Sequence, residues 1–342
     1  MMQKVIIDSD WGGDVLQLSS LLFARPQEYR VLGATVTFGN SSHDQNLLNA
    51  GSMLKLMDMD HCIPRFPGAR APDGMKEQPE GDGAHGLTGL GKIEPDLSNT
   101  EPEGTDSVDF ILETVAHEPT DSVIIIATGP QTNIAKAIRK DPSIMQRTKQ
   151  IRIMAGCTAP LDGYRVDRNL NRLSDQPVQR FGNITEHAEF NFQQAPRDAE
   201  TVLKSGIQIY LFPMNCTHQM TLTQAREAKL AKAFKDAGAV RDMIIGLHSS
   251  ARFIDYQKFG IAPTLHDVHT TASLVEPELY AGRWGDIDIV TDPNAPDTGY
   301  TGFKPNPNGS HWVADTIRDP DAVFDLLINA LKRTIRYESL TV

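Results

Sequence analysis

The stretch Val5-Ile6-Ile7-Asp8-Ser9-Asp10-Trp11-Gly12-Gly13-Asp14 decides how the chain is read. A short β-branched apolar run breaks off into three acids and two glycines. A run of this kind, apolar on both faces, suits a strand of a parallel sheet covered on each side. The glycines permit a sharp turn after it. In an open parallel sheet, ligands bind beyond the carboxyl ends of the strands, which is where these acids stand.

Similar runs recur at Val31–Thr37, Val123–Ala127, Ile151–Met154 and Ile207–Phe212. Helical patterns lie between them. His43–Met57 carries Leu47, Leu48, Leu54 and Met57 on one stripe. Asp106–His117 follows Thr105, read as the N-cap, and repeats Val108, Ile111, Leu112 and Val115. Thr132–Arg139 follows a Thr-Gly-Pro turn, and Pro196–Lys204 opens with a proline suited to the first helical position. Strand, crossover helix, strand predicts an α/β fold, an open and mostly parallel sheet flanked by helices in the Rossmann manner. Phe66–Thr105 and Asp292–Ser310 are rich in Gly, Pro and charge and are predicted as long loops. The part from about 221 to 342 is predicted to be helical, at Thr221–Tyr256 and Asp319–Arg333. No stretch has a linker's composition, so residues 1–342 are read as a single domain.

Composition narrows the function classes. Lys and Arg number 33 against 44 Asp and Glu, a net charge of −11. That balance argues against a nucleic-acid partner, which needs clustered basic side chains, and against an anionic membrane surface. No apolar run approaches the roughly 18 residues of a membrane span. Cys62, Cys157 and Cys216 are too scattered for a disulfide framework or a paired-cysteine metal site. Reduced thiols and the absence of a long apolar run at the start predict a cytoplasmic protein.

The chemistry concentrates at strand ends. Asp8, Asp10 and Asp14 repel one another, and a hard cation with oxygen ligands would offset that repulsion. Such a cation lowers the pKa of coordinated water, and a neighbouring carboxylate can take its proton. The competing reading is a solvated acidic turn capping the next helix. Gly39-Asn40, Thr128-Gly129-Pro130 and His266-Asp267 end other strands and could place polar groups on the same rim. Taken alone, His266 reads as a structural residue and Asn40 as a turn residue. In Gly182–Asn191 (GNITEHAEFN), Asn183, Glu189 and Asn191 offer the donors and acceptors that grip vicinal hydroxyls. A polar loop leading into the helix at Pro196 accounts for them equally well.

Taken in order, these motifs resemble the inosine–uridine nucleoside hydrolase family. That family opens with a strand and then Asp-x-Asp-Pro-Gly-x-Asp-Asp; this chain has Asp8-Ser9-Asp10-Trp11-Gly12-Gly13-Asp14-Val15. Gly39-Asn40, His85-Gly86, Gly89-Leu90, Ala127-Thr128-Gly129, Thr132-Asn133-Ile134-Ala135 and Met154-Ala155-Gly156 follow in the family's order. Gly182-Asn183, Ala188-Glu189-Phe190-Asn191, Thr217-His218 and His266-Asp267 complete the series, which spans most of the chain.

The resemblance implies hydrolysis of the N-glycosidic bond of a ribonucleoside or related N-riboside, with Ca2+ at the bottom of the pocket. Asp10 and Asp267 would be metal ligands, with the carbonyl of Thr128. Asp10 would also activate the attacking water. Asp14, Asn40, Asn183, Glu189 and Asn191 would hold the sugar hydroxyls. His266 would protonate or hydrogen-bond the leaving base, with Phe190, His85 and the region of Tyr256 about the base. A homodimer or homotetramer serving purine or pyrimidine salvage is implied as well.

One position departs from the pattern. Where the family has two adjacent aspartates this chain has Asp14-Val15, so one carboxylate is missing. If Gly13-Asp14 aligns with the pair instead, Asp14 is itself the metal ligand. Trp11 replaces a proline and either closes the pocket or packs under the sheet. Thr158–Phe181 is longer than the pattern requires and holds Arg165, Arg168, Arg172 and Arg180. These arginines either meet a charged substrate group or a neighbouring subunit, or form a solvated loop.

Two other functions compete. Asp8-Ser9-Asp10 with Thr128 also resembles the acid pair and strand-end threonine of a haloacid dehalogenase-like phosphatase. The missing aspartate is also compatible with a protein that binds a nucleoside or ribosyl group without hydrolysing it.

Overall fold

The structure is a computed structural model that describes residues 2–72, 75, 88–90, 102, 104–166, 172–238, 241–242, 244–246, 260–261 and 263–335. The strands are β1 (Gln3–Ser9), β2 (Tyr29–Val36), β3 (Arg65–Pro67), β4 (Val123–Ala127), β5 (Gln150–Met154), β6 (Leu161–Val166), β7 (Arg172–Arg180), β8 (Ile209–Phe212), β9 (Tyr280–Ile289), β10 (Thr301–Pro305) and β11 (His311–Ile317). Nine of them form one sheet in the order β10-β9-β11-β8-β5-β4-β1-β2-β3, while β6 and β7 pair only with each other. Every pairing from β3 through to β11 is parallel, and β9 runs antiparallel to both its neighbours.

Alternation along each strand splits the apolar side chains between two faces, as the pleat requires. Val5 and Ile7 of β1 join Ile124 and Ile126 of β4 on one face, under α1 (Gly13–Phe23) and α2 (His43–Leu56). Ile6, Ile125 and Ile151 point the other way, under α3 (Ser107–His117) and α4 (Thr132–Lys140). Burial on both faces explains why these strands read as unbroken apolar runs. The cap of α3 is Asp106, whose carboxylate accepts from the amides of Val108 and Asp109, one residue on from the threonine the sequence suggested.

The C-terminal part departs from the sequence reading. Gln224–Ala233 and Pro320–Thr334 are helical, but three strands lie between them. β9 alternates buried Gly285 and Ile287 with exposed Asp286 and Asp288, so its half-exposed pattern carries too little apolar signal to stand out. β10 sits inside the stretch expected to be a loop.

The chain turns from β1 to β2 and β3 on one side, then returns to lay β4 on the other. The strand order therefore reverses between β1 and β4, the place where open α/β sheets bind ligands. Asp10 follows β1 and Thr128 follows β4, which puts both at that crevice.

Candidate active site

Asp10 stands just beyond β1 and is buried. Its Oδ2 accepts the backbone N–H of Asn40 at 2.9 Å, and the Asn40 side-chain amide reaches back to the Asp10 carbonyl at 3.4 Å. Gly39 makes this approach possible. A Cβ there would stand 2.1 Å from Asp10 Oδ2, and its φ of +149° is one that L side chains rarely adopt. The other oxygen, Oδ1, is buried and accepts no hydrogen bond from the described residues. Burial is the main reason the Asp10 carboxyl is pushed up to about 8, with the charges of Glu189 and Asp14 adding to it.

Asp267 immediately precedes the helix Val268–Val275 and is also buried. Its pKa is raised well above the ordinary carboxylate value, first by burial and then by Asp14 and Asp10. Asp14 lies in the first turn of α1, with Oδ2 3.4 Å from the N–H of His266. Val15 is instead fully buried, in the core with Leu16 and Leu18. The helix phase thus leaves Asp14 as the acid on this turn that faces Asp10 and Asp267. Trp11 packs as well. It is fully buried, with Nε1 donating to the Thr35 carbonyl at 3.3 Å.

Asp8 is not part of this acid group's open edge. Its Oδ1 accepts from Thr35 Oγ1 at 2.6 Å and Asn133 Nδ2 at 2.8 Å, and burial pushes its carboxyl up to about 6. A phosphatase of that type would use Asp8 as its nucleophile, but Asp8 Oδ1 is tied to Thr35 and Asn133 and the acids that act on Asp10 are not among the causes of its shift. That alternative finds no support here.

The GNITEHAEFN segment reaches the same crevice. Glu189 caps the short helix Phe190–Gln194, accepting from the amides of Asn191 at 2.8 Å and Phe192 at 3.2 Å. It also accepts from Gly156 beyond β5 at 2.8 Å. Both its oxygens are therefore engaged by backbone, yet burial still pushes it up to about 7. The Asn191 amide donates to the carbonyls of Met154 (2.9 Å) and Thr128 (3.3 Å). Asn183 Oδ1 accepts the Phe190 N–H at 3.0 Å, and Phe190 itself is half-buried. These residues brace the loop against two strand ends; a role toward a sugar needs capacity beyond these bonds.

Thr217 escaped the sequence reading as a site residue. Its hydroxyl lies 2.7 Å from His266 Nδ1, and the His218 ring stands 5.2 Å from the His266 ring, edge to face. The sequence signal was present in Thr217-His218, but the partner is 49 residues away. His85, Tyr256 and Arg168, named from the sequence, lie outside the described residues, as does most of Phe66–Thr105. Gly89 of that stretch is described, and its carbonyl accepts the Gly13 N–H at the start of α1.

Buried acids beyond β1, a strand-end threonine beyond β4 and an acid just before the helix Val268–Val275 recur in the order of the known family pattern. A sequence profile described as inosine-uridine preferring nucleoside hydrolase matches residues 5–323. The chain belongs to that family.

Relatives in sequence and in structure agree with it. The pyrimidine-specific ribonucleoside hydrolase RihB of Escherichia coli is 26% identical over 277 residues, covering 81% of this chain and 79% of RihB. An uncharacterised protein of Schizosaccharomyces pombe is 32% identical over 290 residues, covering 84% of this chain and 85% of that one. A plant nucleoside hydrolase superposes with a TM-score of 0.81 at 26% identity, over 97% of this chain and 99% of its own. The chain is accordingly an N-glycosidic hydrolase acting on ribonucleosides. Among the described residues, no helix is long and apolar enough to cross a membrane.

Proposed function

We propose that the nucleoside hydrolase reaction runs at Asp10, Asp14 and Asp267 around a bound divalent cation, Ca2+ in the first instance. The observation that carries this reading is Asp10 Oδ1, a buried carboxylate oxygen that accepts no hydrogen bond from the described residues, beside a second buried acid. Leaving such an oxygen unmet costs free energy, and a cation would meet it. The donors are all hard oxygens, which suits Ca2+. The acids do not yet form a closed ligand set. Among the described residues only Asp58, Asp60 and His61, outside this crevice, bring three candidate ligand atoms within 4.8 Å of one another. A cation held by Asp10, Asp14 and Asp267 would bring their oxygens together against their mutual repulsion.

Asp10, Asp14 and Asp267 would hold the ion with the carbonyl of Thr128. The bound ion supplies positive charge and acidifies water in its shell. Asp10 then takes the proton of the attacking water. Asn40 orients Asp10 and, with Asn183, Glu189 and Asn191, lines the sugar side, where Asp14 also serves. His266, oriented by Thr217, hydrogen-bonds or protonates the departing base, with Phe190 and His85 as its further contacts. Cleavage passes through an oxocarbenium-like state at the anomeric carbon. A cytoplasmic homodimer or homotetramer serving nucleoside salvage in one single-domain fold completes the reading.

Calorimetric titration of Ca2+ into chelator-treated protein tests the cation. One ion per chain is expected, with binding lost in Asp267→Ala. Full binding in that variant would remove the proposed ligand set.

A further inference from the structure

The arginine-bearing segment forms the hairpin β6–β7, outside the main sheet. Its described arginines are engaged within the chain. Arg165 Nε donates to Glu186 Oε1 at 2.6 Å. The Arg172 guanidinium lies 3.7 Å from the centre of the Tyr164 ring. Arg180 is fully buried at the end of β7 and donates to three backbone carbonyls: Tyr164 at 2.6 Å, Thr185 at 2.9 Å and Gly182 at 3.1 Å.

Those carbonyls belong to two different places. Tyr164 is in the hairpin, whereas Gly182 and Thr185 flank Asn183. The loop between them is tight. A Cβ on Gly182 would stand 1.8 Å from the Ala188 carbonyl oxygen, so the backbone there admits little adjustment. The Asn183 side chain then holds the Phe190 N–H, next to Glu189. On its other side, Tyr164 covers Gly260 so closely that a Cβ would lie 2.0 Å from the ring. Gly260 leads into Thr264–Asp267, which carries His266.

We infer that the hairpin is a brace for the sugar-binding loop, with Arg180 as the positioning residue that fixes Asn183 for substrate. This rests on the proposed role of Asn183 at the sugar. A planar guanidinium with five fixed donors can satisfy three carbonyls in set directions; an ammonium cannot reproduce that fork. None of Arg180's three carbonyls belongs to Asp10, Asp14, Thr128 or Asp267. Loosening it should therefore act on substrate binding and spare the cation.

The test compares Arg180→Met, Arg180→Lys and Asn183→Ala with wild type, measuring kcat and KM for a ribonucleoside and Ca2+ affinity by calorimetry. Arg180→Met is expected to raise KM about tenfold or more with kcat changed by less than about threefold, the pattern of lost uniform binding. Arg180→Lys should fall between, and Ca2+ affinity should stay at the wild-type value in both. If Arg180→Met does not accumulate as folded protein, Arg180→Lys decides through the same split. Raised KM in Asn183→Ala with wild-type KM in the Arg180 variants overturns the brace alone. Unchanged KM in Asn183→Ala overturns the reading of Asn183 beneath it.

Discussion

Asp10 concentrates the chemistry because its two oxygens have different fates. Oδ2 is held by Asn40, and Oδ1 is buried with no donor among the described residues. An acid that must take a proton from water needs one oxygen to orient it and one to react. Asp10→Asn keeps the shape and removes the base, so kcat should fall by on the order of 10²–10⁴, as for other general bases. Gly39→Ala should also lower kcat, because its Cβ would displace Asp10 Oδ2, and it should destabilise the fold by about 1–3 kcal/mol through strain. Stopped turnover assays with a denaturant series on the same variants separate the two effects. Much of this was legible in the sequence: Asp10, Asn40, Thr128 and Asp267 each end a strand or open a helix, where position alone points to the crevice. Glu189 and Thr217 were harder. Their partners, Gly156 and His266, are distant in sequence, and only packing brings them together.

At the scale of elements, α1 decides which acid its first turn offers. Alternation along β1 and the helical period of α1 bury Trp11, Val15 and Leu16 in one core and leave Asp14 toward Asp267. Restoring a second aspartate should therefore not restore a ligand. Val15→Asp puts a carboxylate into a fully buried apolar site and should cost about 3 kcal/mol or more. Urea denaturation checks the loss, and calorimetry should show no gain in Ca2+ affinity. A stable, tighter-binding Val15→Asp would mean that the turn can rotate to present position 15. The strands β1, β2, β4, β5 and β8 were readable because their faces are largely buried, whereas the three-residue β3 falls at the edge of Phe66–Thr105, which reads as a loop. β10 was missed because it lies in a stretch rich in Gly and Pro, and β9 because it runs antiparallel, is half-exposed and places Asp286 and Asp288 on its open face. The hairpin β6–β7 was missed for the same reason: seven of the eight described positions before Arg180 in β7 are exposed.

For the whole molecule, the acid group lies at the point where strand order reverses, and the fold bears its cost. Asp8, Glu189 and Asp10 are pushed up to about 6, 7 and 8. Folded-state values above the unfolded ones mean that the folded chain holds protons the unfolded chain releases. Their contribution is then full below about pH 4 and is lost as pH rises through these values. Chelator-treated protein should accordingly have a lower Tm at about pH 8 than at about pH 5, and added Ca2+ should raise Tm more at the higher pH. Differential scanning calorimetry reads both. An equal Ca2+ effect at the two pH values would detach the ion from these acids. The reaction itself is tested most directly by chromatography of free base and ribose released from uridine and inosine, with wild type and Asp10→Ala side by side. Wild type should release base and ribose in equal amounts from at least one of them, and Asp10→Ala should release neither above the uncatalysed background. Base release by Asp10→Ala at the wild-type rate would contradict the account.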